Sequence, residues 1–408
     1  MAHKKLITTS ITIIMLCLNT YCFCSENQTE FLAKPISVDL PEKYKDRVDV
    51  SLLIADLKYD GNTVKILELG NITNSVLSSH ESLYGKDIIW SRIYNYIEKL
   101  GLQLWCIGHP SNPKSGTFIC FENFIKYGAH NVSDLEQLIY DPMFVNLCSA
   151  NTLKGILAPI SYSSKKESFA NLKKDFPGFL LLNEITHEYG ASKYKTAILF
   201  HDKELSQFKP KWKVYPKIYS KFIIKKIKDD FSSDMLVIKP INAALGKGIL
   251  IIDKKDLDET LKTIFTKQSE IKDLQDSSYS YWTKDGNSVF LVESFEPAKP
   301  IILQRKAYDS KVRVIFALSC YNGKINVNFF GAYHKAAFKS LDEIGSLTEK
   351  HKSKICQKTR AAKVDFQDAK NIQELLGFVL PKMYVKMMEV NENMDYYLTS
   401  FKRINRRI

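Results

Sequence analysis

The sequence predicts an α/β protein built from two domains, and three observations predict it. Apolar runs of strand length alternate with stretches whose apolar residues recur every three or four positions. Two strong turn signals, Asp60-Gly61-Asn62 and Asn322-Gly323, each sit between β-rich flanks. A third apolar run, Leu236 to Pro240, ends in Lys239-Pro240 and leads through a glycine loop into a further apolar run, Ile249 to Asp253. With 408 residues, 45% apolar and 25% charged, the chain can bury two or three real cores and is not a disordered or fibrous sequence.

In chain order, residues 50–72 read as strand, turn, strand. Residues 85–100 carry Ile89, Ile93, Tyr96 and Ile97 on one helical stripe, and 102–108 is a buried strand. These elements assign residues 25–180 to a first α/β domain, with 159–169 as the best boundary candidate. Residues 181–408 form the second domain. There, 192–200 reads as a helix, 211–219 as extended, and 220–231 as an amphipathic helix. Residues 256–265 form a helix opened by acidic residues that suit its N-terminus. Residues 289–301 are a strand running into a proline-bounded crossing, and 311–338 a hairpin. Near the end, Leu376, Leu380, Met383, Met387, Val390, Met394, Tyr397 and Phe401 are spaced by alternating fours and threes, one face of a long helix.

The first 24 residues have the layout of a cleaved export signal. His3-Lys4-Lys5 is basic, Leu6 to Leu18 is mostly apolar, and Cys22 and Cys24 are small residues at the cleavage positions. The expected location is therefore outside the cytoplasm, with delivery into a host cell as a further option. No apolar run long enough to span a membrane follows residue 30. Outside the signal lie Cys106, Cys120, Cys148, Cys320 and Cys356, an odd set without CxxC spacing, so neither a zinc site nor a disulfide framework is expected.

Charge is uneven. Residues 1–180 hold 18 basic and 18 acidic side chains, and residues 181–408 hold 40 and 27, so the second part carries the whole excess of +13. A triphosphate, at roughly four negative charges, would use only part of this. The rest suits solubility, an acidic partner or a membrane surface. No nucleic-acid motif accompanies it. Lys239 before a proline and Gly246-Lys247-Gly248 are each, taken singly, what an ordinary hairpin contains.

Taken in order, residues 190–340 resemble the ATP-grasp superfamily, nearest its peptide and amino-acid ligase branch: glutathione synthetases, ribosomal-protein glutamate ligases and tubulin-tyrosine-ligase-like enzymes. The first domain then resembles the pre-ATP-grasp domain of such proteins. The resemblance implies that Lys239 reaches the α- and β-phosphates of ATP and that Gly246 and Gly248 fold over them. It implies a second phosphate lysine at Lys193, with Lys195 as the alternative. It makes Val292, Glu293, Phe295 and Glu296 the adenine edge, with Glu293 or Glu296 on the ribose. It places Arg313 on the γ-phosphate or on a forming acyl-phosphate, and Lys335 facing the transferred phosphate. The implied reaction is ATP-dependent ligation of a carboxylate to an amine. An inactive binding protein and a small-molecule kinase are the alternatives.

The resemblance also implies Mg2+, held by an Asp on one late strand and an E-x-N pair on the next. Glu389-Val390-Asn391 is the only late pair of that form. On a strand its two side chains would share a side. On the helix that the apolar spacing predicts, residues two apart point about 200° from each other and cannot grip one ion. No magnesium ligand is assigned.

Overall fold

The computed structural model describes residues 30–72, 74–107, 125–159, 166–190, 192–243, 246–266, 277–353 and 360–393. The expected export signal, the tail beyond Asn393 and residues 160–165 of the expected boundary at 159–169 lie outside these residues.

Strand β1 (Ile36–Asp39) precedes the hairpin β2 (Asp49–Tyr59) and β3 (Val64–Asn71), followed by helices α1 (Asn74–Tyr84) and α2 (Ile88–Lys99). Four short strands come next: β4 (Gln103–Ile107), β5 (His130–Val132), β6 (Gly155–Pro159) and β7 (Phe179–Leu181). Their crossovers carry α3 (Leu135–Ile139), α4 (Pro142–Cys148) and α5 (Lys166–Asp175). After α6 (Lys193–Ile198) the chain forms β8 (Trp212–Pro216), α7 (Lys221–Asp230), β9 (Met235–Pro240), β10 (Leu250–Asp253), α8 (Leu257–Thr266) and β11 (Val289–Ser294). The last part holds the small hairpin β12 (Ile301–Leu303) and β13 (Lys306–Tyr308) and the long one, β14 (Ser310–Tyr321) and β15 (Lys324–Ala336). It closes with α9 (Leu347–His351), β16 (Ala361–Lys363) and α10 (Phe366–Glu392). The expected strands and helices form within a few residues of their predicted bounds.

Three larger sheets, beside the two-stranded β12–β13 one, organise these elements into a mixed α/β fold. The central one has the order β1-β15-β14-β2-β3, with β16 added to β15, and draws its strands from both ends of the chain. The β14–β15 turn places Asn322 and Gly323 at φ +52 and +70, the backbone that an Asn-Gly two-residue turn supplies. One face of this sheet is covered by α10. There Ile372, Leu376, Leu380, Met383 and Met387 bury themselves against Leu57, Val312, Val314 and Phe316. Each such side chain contributes about 1.5–3 kcal/mol of apolar burial. This settles the reading of residues 376–392 as a helix. Part of the other face packs on α2 and on the parallel sheet β5-β4-β6-β7 through Leu52, Ile54, Ile93 and Ile97.

The third sheet, β10-β9-β11-β8, is antiparallel and backed by α7 and α8. Its alternation sends Leu236, Ile238, Phe290 and Val292 into that backing core. The intervening Lys239 and Glu293 therefore face the other way, toward the central sheet. Cys106, Cys148 and Cys320 are buried free thiols, and burial pushes the Cys148 and Cys320 thiols up to about 12. Among the described residues no helix is long and apolar enough to cross a membrane.

Candidate anion-binding site

Strand pairing puts charge where an all-apolar strand would be expected. Arg313 pairs with Asp56 on one side and Tyr333 on the other, while Asp56 pairs with Glu68. Directly paired residues share a face, so Glu68, Asp56, Arg313 and Tyr333 form one row across the sheet. Two residues along, Lys58, Lys311 and Lys335 are set on that same face by the strand period. Apart from Tyr333, which packs into the α2 core, these rows lie beyond the stretch that core covers.

Asp56 is the hub. It is 1% exposed, and its carboxylate accepts from Arg313 Nε at 2.6 Å and Nη2 at 2.9 Å. Lys311 Nζ lies 2.6 Å from the same group and 3.8 Å from Glu68. Burial alone would raise the Asp56 pKa, but Arg313, Lys311 and Lys335 together hold it well below the usual range. Burial opposes the Arg313 charge, and Asp56 more than offsets this, so Arg313 stays firmly protonated.

Lys335 is different. It is 7% exposed, its Nζ has no hydrogen-bond partner, and it stands 4.0 Å from Asp56. Burial, and then the like charge of Arg313, drives its pKa well below that of an ordinary lysine. An unpaired buried ammonium group is costly, so this side chain is poised for an anion.

The facing sheet supplies the other half. Glu293, 1% exposed, accepts from Lys239 and lies 2.7 Å from Lys209 Nζ. Lys209 also donates to the Leu67 carbonyl at 2.6 Å, so it ties β11 to β3 across the two sheets. Burial lowers Lys209 from the usual 10.5 to about 8 in spite of Glu293. Burial would raise Glu293, and the two lysines hold it below the usual carboxylate range. Lys193, at the start of α6, donates to the Ala243 carbonyl beside the glycine loop. Burial lowers its pKa, Glu68 opposes the shift, and Lys239 and Lys311 add to it. Glu68 is acted on by Lys311, Lys193 and Lys239 together, which joins the two halves into one cluster.

The structure thus brings together Lys193, Lys239, Arg313 and Lys335 from the sequence reading. It adds four residues that the sequence reading missed: Lys209, Lys311, Asp56 and Glu68. Lys195, the alternative to Lys193, instead pairs with Glu188. Gly246 and Gly248 both adopt the left-handed region, at φ +66 and +70. A Cβ on Gly248 would lie 2.5 Å from Pro240 Cγ and 2.8 Å from Tyr281, so that glycine is also required by packing.

The expected base-binding edge is only partly open. Val292, Glu293 and Ser294 belong to a strand paired on both sides, with β8 or its flank and with β9, and the Phe295 amide donates to Met235. Backbone groups of Val292 are therefore spent in the sheet. Glu293 is held by two lysines, leaving half-buried Glu296, which accepts from Ser294, as the carboxylate nearer the surface. Phe295 packs edge-on against His351.

The implied magnesium pair does not form. Glu389 and Asn391 lie on α10. Asn391 bonds to Tyr189 and to the Ile185 carbonyl, and Glu389 pairs with Lys386. Asp56 accepts from Arg313, and Glu293 is ion-paired with Lys239 and Lys209, its Oε1 making no hydrogen bond. Among the described residues none fits the metal set that the resemblance implies.

Comparison with known proteins gives the following. No family model matches the sequence, and no curated protein matches it. Solved structures that match it include these three. A γ-glutamylcysteine synthetase-like protein from Methylobacillus flagellatus is 9% identical with a TM-score of 0.40, over 86% of this chain and 92% of that one. A D-cycloserine synthetase is 11% identical with a TM-score of 0.34, over 69% and 81%. D-alanyl-alanine synthetase A from Vibrio cholerae is 10% identical with a TM-score of 0.33, over 71% and 81%. At these values the likeness assigns no residue a role.

Proposed function

We propose that the chain binds a nucleoside triphosphate between the central sheet and the β8–β11 sheet. We further propose that it is a ligase of the ATP-grasp kind, joining a carboxylate to an amine through an acyl-phosphate. One observation carries the first step: six cations, four on the two facing sheets plus Lys193 on α6 and Lys209 just before β8, converge around only three carboxylates, and Lys335 among them makes no hydrogen bond. A folded chain keeps such an excess in its interior where a ligand neutralises it.

ATP would supply the transferable phosphoryl group. Lys239, Lys193 and Lys209 would neutralise the phosphates from the β9 side, while Gly246 leaves the loop backbone free of a Cβ. Arg313 holds a planar fork already oriented by Asp56, and Lys335 presents an ammonium group stripped of water; both stabilise negative charge best where it develops. The carboxylate and amine substrates, small molecules or a protein, are left to experiment. The N-terminal stretch is proposed as an export signal.

A second reading has a specific observation in its favour. Glu389 and Asn391 are engaged on α10, so a site of this form can hold nucleotide without turning it over. Titration calorimetry with ATP, on the wild type and on Lys239→Ala, tests binding. Phosphate release with panels of amino acids tests turnover. Binding lost in Lys239→Ala with release in the wild type supports the ligase. Binding without release in any panel supports the silent site, and equal binding by both proteins contradicts the location.

A further inference from the structure

We infer that the site neutralises its polyphosphate with the protein's own cations and takes the nucleotide without a divalent metal. The inference rests on the nucleotide reading above and deepens it. Lys193, Lys209, Lys239, Lys311, Arg313 and Lys335 face Asp56, Glu68 and Glu293, so full protonation leaves an excess of three positive charges. Free ATP carries about four negative charges, and about two once a divalent ion sits on it. An excess of three lies midway between these two, so the charge count alone favours neither form.

The carboxylates carry the inference, because Asp56 and Glu293 are already committed to the protein's own cations. A hard dication needs several oxygen ligands in one shell. Both Asp56 oxygens accept from the Arg313 fork, and Lys311 lies 2.6 Å from one of them. Glu293 gives one oxygen to Lys239 and the other lies 2.7 Å from Lys209. The next carboxylate along the strip, Asp309, is shared between Lys58 and His351 Nδ1. Recruiting any of them to a metal would strip it from a buried cation and leave that cation unpaired, in a field that already repels a dication. Among the described residues no group of three or more His, Cys, Asp or Glu side chains stands ready for a metal. Meanwhile Lys335 Nζ, more than nine-tenths buried, makes no hydrogen bond and reaches Asp56 only at 4.0 Å.

The test is calorimetric titration of the full chain with ATP in EDTA and in excess Mg2+, each in two buffers of different ionisation enthalpy. The expected result is a Kd in EDTA equal to or below that in Mg2+, with more protons taken up per ATP in EDTA. Lys335→Met should weaken binding in EDTA by about tenfold or more while keeping the fold. Binding weaker in EDTA than in Mg2+ by about tenfold or more would overturn the inference and leave the nucleotide site standing. No binding in either buffer would overturn the nucleotide reading itself. Equal affinity of Lys335→Met and wild type in EDTA would remove Lys335 from the site.

Discussion

Replacing Lys335 by methionine should stabilise the ligand-free protein. Lys335 is buried on β15 with its Nζ unbonded, 4.0 Å from an Asp56 carboxylate that Arg313 and Lys311 already satisfy. Its ammonium group therefore contributes little attraction and bears most of its desolvation cost. A buried polar group without a partner costs about 1–3 kcal/mol. Methionine keeps the unbranched stem and its packing and removes the charge. The expected gain is about 1–3 kcal/mol, which moves a urea midpoint upward by up to about 1 M at a slope near 3 kcal/mol per M. Tryptophan fluorescence during urea unfolding reads it. The same variant should lose ATP affinity, the trade between stability and function expected of a binding group. A variant less stable than wild type by more than about 1 kcal/mol would refute the reasoning, because Lys335 would then be a paired structural cation.

Asp56→Asn is the converse case. It strips Arg313, Lys311 and Lys335 of their shared counter-charge and should cost about 3–5 kcal/mol, read by the same unfolding curve, with inorganic triphosphate restoring more stability to the variant than to wild type. The pH dependence follows from Lys209, whose pKa falls from 10.5 to about 8 on folding. Between those values the unfolded chain binds more protons than the folded one, so this group makes stability rise with pH across the window. That rise should be smaller in Lys209→Met, with the remainder coming from Lys193 and Lys335. Bound polyphosphate raises the same pKa, so ATP affinity should fall as pH rises above about 8. Gly248→Ala combines a left-handed backbone with a contact at 2.5 Å to Pro240 and should lower stability by about 1–3 kcal/mol. Glu389→Gln should leave ATP affinity unchanged, since its carboxylate lies on α10 and pairs with Lys386.

The local signals were legible because they are local. Asn322-Gly323 announces its hairpin, and the spacing from Leu376 to Val390 announces α10 and thereby removes Glu389 and Asn391 from any metal site. Lys239 could be singled out because a strand, a proline and a glycine loop stand around it. Asp56 could not, because its meaning depends on Arg313, 257 residues away in the chain. Lys209 sits in an irregular stretch, and only the bond to Leu67 and the ion pair with Glu293 give it a place. One signal was there to be used. Asp56 and Lys58, and likewise Lys311 and Arg313, are charges at a spacing of two inside otherwise apolar strands. That pattern belongs to a strand buried on both faces, with part of one face polar.

Crystals of the protein grown with a non-hydrolysable ATP analogue would test the central claim most directly. The account predicts phosphate density between β9 and β14, in contact with Lys239, Arg313 and Lys335. Density bound elsewhere at full occupancy, with those three side chains still in the arrangement described, would contradict it.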